Sequence, residues 1–288
     1  MTTSTETGSL FVVTGASTGM GAATVRALAA RGHRVLAGVR RPEDGQALQS
    51  ATVRPVILDI TDPAQIAELA AVVDADGHPL AAVVNNAGIA VNAPVEVLPM
   101  DEWRRQFDVN FFGHIAVTQA LLPALLRSRG RVVMMSSLGG RLAQPTYGAY
   151  SGSKFALEAV SDALRRELAA DGVGVVIVEP GAVKTEMVGR GGTTARRLAD
   201  AMTPDQQRRY GGLIHAILAQ SDTFLRDGVT AAVAAETIVT AATHPRPKTR
   251  YTIGRDAALL TRLARILPDR ALDRVLVRAL RPLLPSAR

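Results

Sequence analysis

Leu10-Phe11-Val12-Val13-Thr14-Gly15-Ala16-Ser17-Thr18-Gly19-Met20-Gly21 runs from an unbroken apolar stretch through three glycines into a helical pattern near residues 20–31. Such a run reads as a buried strand, Leu10–Thr14, then a tight turn and a helix. Glycine has no Cβ, so the turn lets a pyrophosphate approach the backbone closely. The helix start offers unpaired N–H groups and a positive dipole end to the phosphates. The strand before and the helix after are the context that turns a bare glycine triplet into a dinucleotide-binding signal.

The same alternation continues outward from this turn. Arg34–Val39, Arg54–Leu58, Ala81–Val84, Arg131–Met135 and Gly174–Val178 are short, rich in Val, Ile and Leu, and bounded by polar residues or glycine, and Tyr251–Ile253 reads as a last strand. Helical stretches near 63–75, 100–127 and 151–170 separate them. The pattern predicts an α/β fold, a doubly wound parallel sheet of about seven strands with helices on both faces. Residues 186–228 break the rhythm as a long insertion. They hold the cluster Gly189, Gly191, Gly192, Thr193 and Thr194, then helix-like sequence from Pro204. An insertion of that length reads as a lid or substrate-binding loop, and the glycines predict a loop that is mobile until ligand orders it.

Composition narrows the function. Of the 288 residues 47% are hydrophobic and 20% charged, enough apolar material for a full core and too much for a disordered chain. No cysteine is present, which excludes disulfide scaffolds, thiolate zinc sites, iron–sulfur clusters and cysteine nucleophiles and fits a cytoplasmic location. The five histidines (33, 78, 114, 215 and 244) show no paired metal spacing, so they read as surface or packing residues and no metal is expected. The first ten residues lack the basic start and apolar core of a secretory signal. Residues 1–8 are expected to be disordered.

The net charge of +7 suggests a nucleic-acid partner until it is located: residues 255–288 hold eight arginines and three aspartates, +5 of the total. In this tail Leu259, Leu263, Ile266 and Leu267 recur at helical spacing, Pro268 interrupts, and Leu272, Val275, Leu276, Ala279 and Leu280 recur again beside a row of Arg270, Arg274, Arg278 and Arg281. Two short amphipathic helices are the reading. They pack on the body or a second subunit, form a substrate-entry wall for a lipophilic compound, or make a weak peripheral contact with anionic lipid. With no aromatic residue for base stacking, nucleic acid is not expected as a partner.

Further motifs follow the glycine turn in order. Asp59 ends a strand in Leu58-Asp59-Ile60, and Asn85-Asn86-Ala87-Gly88 ends the next. Asn110 falls in a long helix and Ser136-Ser137 closes the fifth strand. Tyr150-x-x-x-Lys154 opens a helix, and Pro180-Gly181-Ala182-Val183-Lys184-Thr185 follows the sixth strand. Over residues 9–255 this series resembles the short-chain dehydrogenase/reductase family, of the branch with hydroxysteroid and retinol dehydrogenase-like members. The resemblance implies a Rossmann fold in one domain, 9–254, with 186–228 over the substrate and 255–288 as a helical extension.

For the cofactor, the resemblance implies contacts from Gly15, Ser17, Thr18, Gly19, Met20 and Gly21 in the turn. Asp59 and Ile60 are implied at the adenine, Asn86, Ala87 and Gly88 along the cofactor face, and Pro180, Gly181, Val183 and Thr185 about the nicotinamide carboxamide. The second strand ends Ala37-Gly38-Val39-Arg40-Arg41, with Gly38 where an acid that selects NAD would stand. A guanidinium can hold a 2′-phosphate bidentately, so NADP(H) is expected, with Arg40 as its reader and Ser17 or Thr18 adding a hydroxyl.

Hydride transfer at a carbonyl carbon requires proton transfer at its oxygen. A free phenol, with a pKa near ~10, needs a nearby cation to act at neutral pH. Tyr150 and Lys154 lie four apart on one helical face. The family implies Tyr150 as proton donor or acceptor, Lys154 as the residue that lowers its pKa and holds the nicotinamide ribose, and Ser137 as hydrogen-bonding the substrate oxygen. Asn110 is implied to hold a water that links Lys154 to solvent. Ser136 and Tyr147 stand at the wrong spacing for these roles. The expectation is an NADP(H)-dependent enzyme acting on a ketone or secondary alcohol of a largely apolar, steroid-, retinoid- or polyketide-like substrate, assembled as a homodimer or homotetramer. The alternatives are a β-ketoacyl-type reductase and a catalytically silent NADP-binding or membrane-surface module.

Overall fold

Alternate side chains of the first strand enter two separate apolar layers, which is what a parallel sheet buried on both faces requires. The computed structural model describes residues 8–284, so the expected disordered stretch 1–8 lies outside the described residues except for Gly8. Its elements are β1 (Leu10–Val13), α1 (Gly19–Ala29), β2 (Arg34–Val39), α2 (Pro42–Gln46), β3 (Val53–Ile57), α3 (Pro63–Asp76) and β4 (Leu80–Asn85). Then come α4 (Met100–Phe107), a π-helical turn (Asp108–Phe112), α5 (Gly113–Ser128), β5 (Arg131–Met135), α6 (Gly148–Glu167) and β6 (Gly174–Pro180). The chain continues through α7 (Glu186–Asp200), α8 (Pro204–Asp227), α9 (Ala231–Thr243), β7 (Arg250–Ile253), α10 (Arg255–Ile266) and α11 (Asp269–Leu280).

The seven strands are all parallel in the order β3-β2-β1-β4-β5-β6-β7. Phe11 and Val13 pack with Val25 and Leu28 of α1 and Ile238 of α9. Leu10 and Val12 pack with Leu69 of α3, Leu121 of α5 and Leu157 of α6. Because β1 lies between β2 and β4, the chain leaves the sheet centre in both directions and opens a crevice at the carboxyl ends of β1 and β4. Residues 100–128 are long and apolar enough, at a mean hydropathy of 1.5, to cross a membrane, but this segment is a core helix that lays Val117, Leu121 and Leu125 on the sheet.

One reading changes. The glycine and threonine cluster at 189–194 lies inside α7, not in a mobile loop. The Thr193 and Thr194 hydroxyls bond back to the Gly189 and Arg190 carbonyls at 3.2 Å, and Ala195 and Leu198 are buried. A Cβ on Gly191 would lie 3.4 Å from Ala90 O, so a small residue lets the helix press on the segment after β4. Helix α9 carries no motif and packs its alanine-rich face on α1. The tail forms two helices broken at Pro268. Its free faces leave Leu259 at 59%, Ile266 at 78% and Val277 at 63% exposure.

Candidate active site

The glycine turn is shaped by its neighbour across the crevice. Gly15 has φ +63°, and a Cβ there would stand 2.6 Å from Ala87 Cα; one on Gly21 would stand 2.3 Å from Gly15 O. Thr14 Oγ1 accepts the N–H groups of Asn86 and Ala87, each at 3.0 Å, while Asn86 Nδ2 donates to the Thr14 and Gly15 carbonyls at 3.0 and 3.1 Å. Thr18 precedes α1 without a capping hydrogen bond from its side chain, and the first turn of α1 carries no acid. Backbone donors therefore face a cleft lined by Ser17, Met20, Arg40, Asp59, Ile60 and Gly88 among others. The crowded glycines and the uncapped, acid-free first turn of α1 fit a dinucleotide pyrophosphate.

At the far corner of the cleft the expected position of the missing acid is corrected. Gly38 faces away: a Cβ there would meet Leu58 Cδ2 at 2.9 Å, and the strand-end residues that line the cleft are Val39 and Arg40. Neither is acidic. Arg41 is held by Asp44 at 2.8 Å and Glu43 at 3.6 Å, whereas Arg40 lines the cleft.

A polar row at every fourth position of α4, the π turn and α5 clamps the segment after β4. Gln106 accepts from Val91 N–H at 2.8 Å and donates to Ile89 O at 3.0 Å. Asn110 accepts from Ile89 N–H and donates to Ile89 O, both at 2.9 Å. His114 Nε2–H donates to Ala87 O at 2.6 Å, and Thr118 Oγ1 accepts from Asn85 Nδ2 at 2.9 Å. Steps of four overshoot a 3.6-residue turn, and the wider π turn at Asp108–Phe112 offsets the drift and keeps the row on one face. His114 is fully buried and burial drives its pKa down to about 3, with the Lys154 charge adding to the shift, so it is a neutral clamp. The Asn110 carboxamide grips both backbone groups of Ile89. Gln106 and His114 were not singled out, although their spacing with Asn110 was visible.

Ser137, Tyr150 and Lys154 meet at the end of β5. Ser137 Oγ donates to Pro180 O at 3.4 Å and accepts from Gly139 N–H at 3.0 Å, and its hydroxyl faces the Tyr150 phenol. Lys154 is 4% exposed; its Nζ donates to Met135 O at 2.7 Å and lies 6.0 Å from the Tyr150 ring centroid. Burial pulls Lys154 down to about 8, opposed by Glu158 one turn on. Burial also raises the Tyr150 phenol, with the Ser137 bond acting the other way. The Lys154 ammonium is directed at Met135 O, 2.7 Å away. Behind Lys154, Glu158 is paired with Arg250 at 2.9 Å and Arg250 with Glu179 at 3.3 Å. Burial, then the neighbouring Glu158, raises Glu179 to about 7.

Beyond Ser137 and Tyr150 lies a second cavity walled by Leu138, Leu142, Met187, Val188 and Phe224, with Asn92, Tyr147, Ser221 and Asp256 as polar points. Tyr147, at the wrong spacing for proton transfer, belongs to this wall; its ring meets that of Tyr150 edge-on at 6.1 Å, and its hydroxyl faces Ser221 and Asn92. Ser136 is buried outside the cavity. Gly181 N–H donates to Ile253 O at 2.9 Å, and Ala182 N–H donates to Asp256 Oδ2 at 2.9 Å, which ties the loop after β6 to the first turn of α10. Val183 bridges to Val229, and Thr185 precedes α7 at the cleft edge. Asp256 had no motif to announce it. No cluster of metal-ligating residues occurs among the described residues.

A doubly wound sheet with a glycine turn at its switch point and a serine, tyrosine and lysine between two clefts defines a dinucleotide-dependent oxidoreductase. The chain belongs to the short chain dehydrogenase family, whose sequence profile matches residues 9–195. It is 34% identical to the NADPH-dependent 3-dehydrocapnine reductase of Ornithobacterium rhinotracheale, over 94% of this chain and 97% of that protein. It is 38% identical to retinol dehydrogenase 5 of Mus musculus, over 92% of this chain and 86% of that protein. Among solved structures, a short chain dehydrogenase from Burkholderia cenocepacia J2315 in complex with NADP is similar, with a TM-score of 0.72, 27% identity and coverage of 96% of this chain and 98% of that one.

Proposed function

We propose that this protein is an NADP(H)-dependent oxidoreductase that interconverts a largely apolar ketone and its secondary alcohol. The observation that carries the reading is the meeting of Ser137 and Tyr150 at the mouth of an apolar cavity, with Lys154 one helical turn behind. The glycine turn holds the pyrophosphate of the cofactor, Asp59 and Ile60 flank its adenine, Arg40 takes the 2′-phosphate, and Val183 and Thr185 hold the carboxamide. Bound nicotinamide supplies the hydride in reduction and accepts it in oxidation. Ser137 Oγ–H donates to the substrate oxygen and fixes its position. In reduction Tyr150 O–H gives its proton to that oxygen; in oxidation the phenolate takes it back. Lys154 lies one helical turn behind Tyr150, and its ammonium lowers the barrier to Tyr150 ionisation. The apolar walls favour a substrate of the steroid, retinoid or polyketide kind. The NADPH-dependent reductase and the retinol dehydrogenase among the relatives support both halves of the reading.

The test is fluorescence-monitored NADPH oxidation over steroid, retinoid and β-keto substrates beside small ketones. The expected result is turnover of a bulky apolar ketone, lost in Tyr150→Phe while NADPH still binds. Near-normal turnover in that variant, or a preference for acetone-sized ketones, overturns the reading.

A further inference from the structure

The lid helix α7 forms one wall of both clefts. A Cβ on Gly19 would lie 3.3 Å from Thr185 Cγ2 and 3.5 Å from Glu186 Oε2, and one on Gly88 would lie 3.4 Å from Met187 Cε. Met187 lines both clefts; Val188 and Gly191 face the substrate side, Arg190 and Thr194 the cofactor side. One turn beyond Glu186, Arg190 Nη2 reaches 3.5 Å from Thr18 Oγ1. Arg190 lines the same cofactor cleft as Thr18 and Arg40. Arg41 is neutralised there by Asp44 and Glu43, whereas Arg40 and Arg190 have no ion-pair partner within 4.0 Å among the described residues.

We propose that Arg190 is a second guanidinium on the 2′-phosphate of NADP(H), so that this phosphate latches α7 over the cofactor and thereby completes the substrate cavity. The proposal rests on the NADP(H) reading above. Glu186 gives the latch its selectivity. Its carboxylate faces the turn that receives the pyrophosphate, so closing α7 on any dinucleotide brings like charges together. Arg190 offsets that repulsion only where a 2′-phosphate is present. NADH leaves Glu186 facing the pyrophosphate with no such compensation. Two guanidiniums from elements far apart in sequence can also engage different oxygens of the same phosphate, each as a bidentate fork.

The experiment measures binding of 2′,5′-ADP and 5′-AMP by calorimetry, and of NADPH and NADH by fluorescence, to the wild type, Arg190→Ala and Arg190→Lys. Amide hydrogen exchange is followed across residues 186–200 in the same samples. Loss of a charge-assisted phosphate contact weakens binding by about 10-fold or more, so Arg190→Ala is expected to lose that factor for 2′,5′-ADP and NADPH. It is expected to hold 5′-AMP and NADH within about twofold, with Arg190→Lys in between. Exchange across α7 is expected to slow with NADPH in the wild type and less with NADH, and the excess protection by NADPH is expected to vanish in Arg190→Ala. Equal weakening of NADPH and NADH puts Arg190 on the pyrophosphate and overturns the proposal, as does equal protection of α7 by both cofactors. A wild type that binds NADPH no better than NADH overturns the underlying cofactor reading instead.

Discussion

Asn110 holds Ile89 by both of its backbone groups, accepting its N–H and donating to its C=O at 2.9 Å each. The pair fixes the path of the chain between the cofactor turn at Asn86–Gly88 and the substrate cavity. Asn110→Ala leaves the Ile89 N–H without its side-chain partner, while Ile89 O keeps the Gln106 donor, at a cost of about 1–3 kcal/mol. The expected result is a drop of about 1–3 kcal/mol in urea unfolding together with weaker NADPH binding. Wild-type stability with only a slowed proton step would return Asn110 to the water-holding role alone.

Arg40 and Arg41 separate by their partners. Arg41 is bound to Asp44 and Glu43, so Arg41→Ala is expected to leave the preference for NADPH over NADH within about twofold. Arg40→Ala is expected to reduce that preference about 10-fold or more. The measurement is the ratio of kcat/KM for the two cofactors. The reverse ranking would make Arg41 the reader.

Lys154 sets a pH limit. Its folded pKa of about 8 lies below the ordinary 10.5, so the unliganded enzyme loses the ammonium near pH 8. The kcat/KM for NADPH is expected to fall above about pH 8. Glu158 holds that value up, so Glu158→Gln is expected to move the fall to lower pH. The linkage to stability has the opposite sense. Between about pH 8 and 10.5 the unfolded chain keeps a proton at Lys154 that the folded chain has lost, so this residue makes the fold more stable as pH rises. A pH limb that Glu158→Gln leaves in place would assign it to another group.

Asp256 accepts from Ala182 N–H at 2.9 Å and so joins the tail to the loop after Pro180 and Gly181. Asp256→Ala is expected to raise KM for a bulky ketone several-fold and to leave NADPH affinity within about twofold, since the lost bond costs about 1–3 kcal/mol on the substrate side. Removal of residues 255–288 should do the same. If removal leaves KM unchanged and abolishes co-sedimentation with anionic vesicles, the tail serves location, not the pocket.

The strands were legible because a strand buried on both faces must be a continuous Val, Ile and Leu run, as in Leu10–Val13 and Gly174–Val178. The glycine turn, Ser137, Tyr150 and Lys154 were legible because their chemistry forces fixed spacings. Glycine content misled at α7, where Gly191 serves close packing on Ala90, not freedom of the chain. Asp256 and Arg190 were not legible because they reach the clefts from elements 74 and 172 residues away from the groups they meet, and no local pattern records that distance. Gln106 and His114 stood in plain view at steps of four, hidden by the usual reading of a polar helix position as a solvated one.

The row from Gln106 to Thr118 also bears on the order in which the chain folds. It binds residues 85–91 through contacts separated by 15–33 positions, whereas the hydrogen bonds of Asn86 to Thr14 and Gly15 span 71–72. Loop closure over the shorter span loses less entropy and is reached sooner. The expected nucleus is therefore β4 with α4 and α5, a partial structure that already carries one wall of the cofactor cleft before β1 docks against it. Pulse-labelled hydrogen exchange during refolding should find the amides of Ile89 and Val91 protected before those of Val12 and Val13. On that route the nucleotide crevice closes only when β1 docks, and a dinucleotide present during refolding acts on that docking step and not on formation of the nucleus.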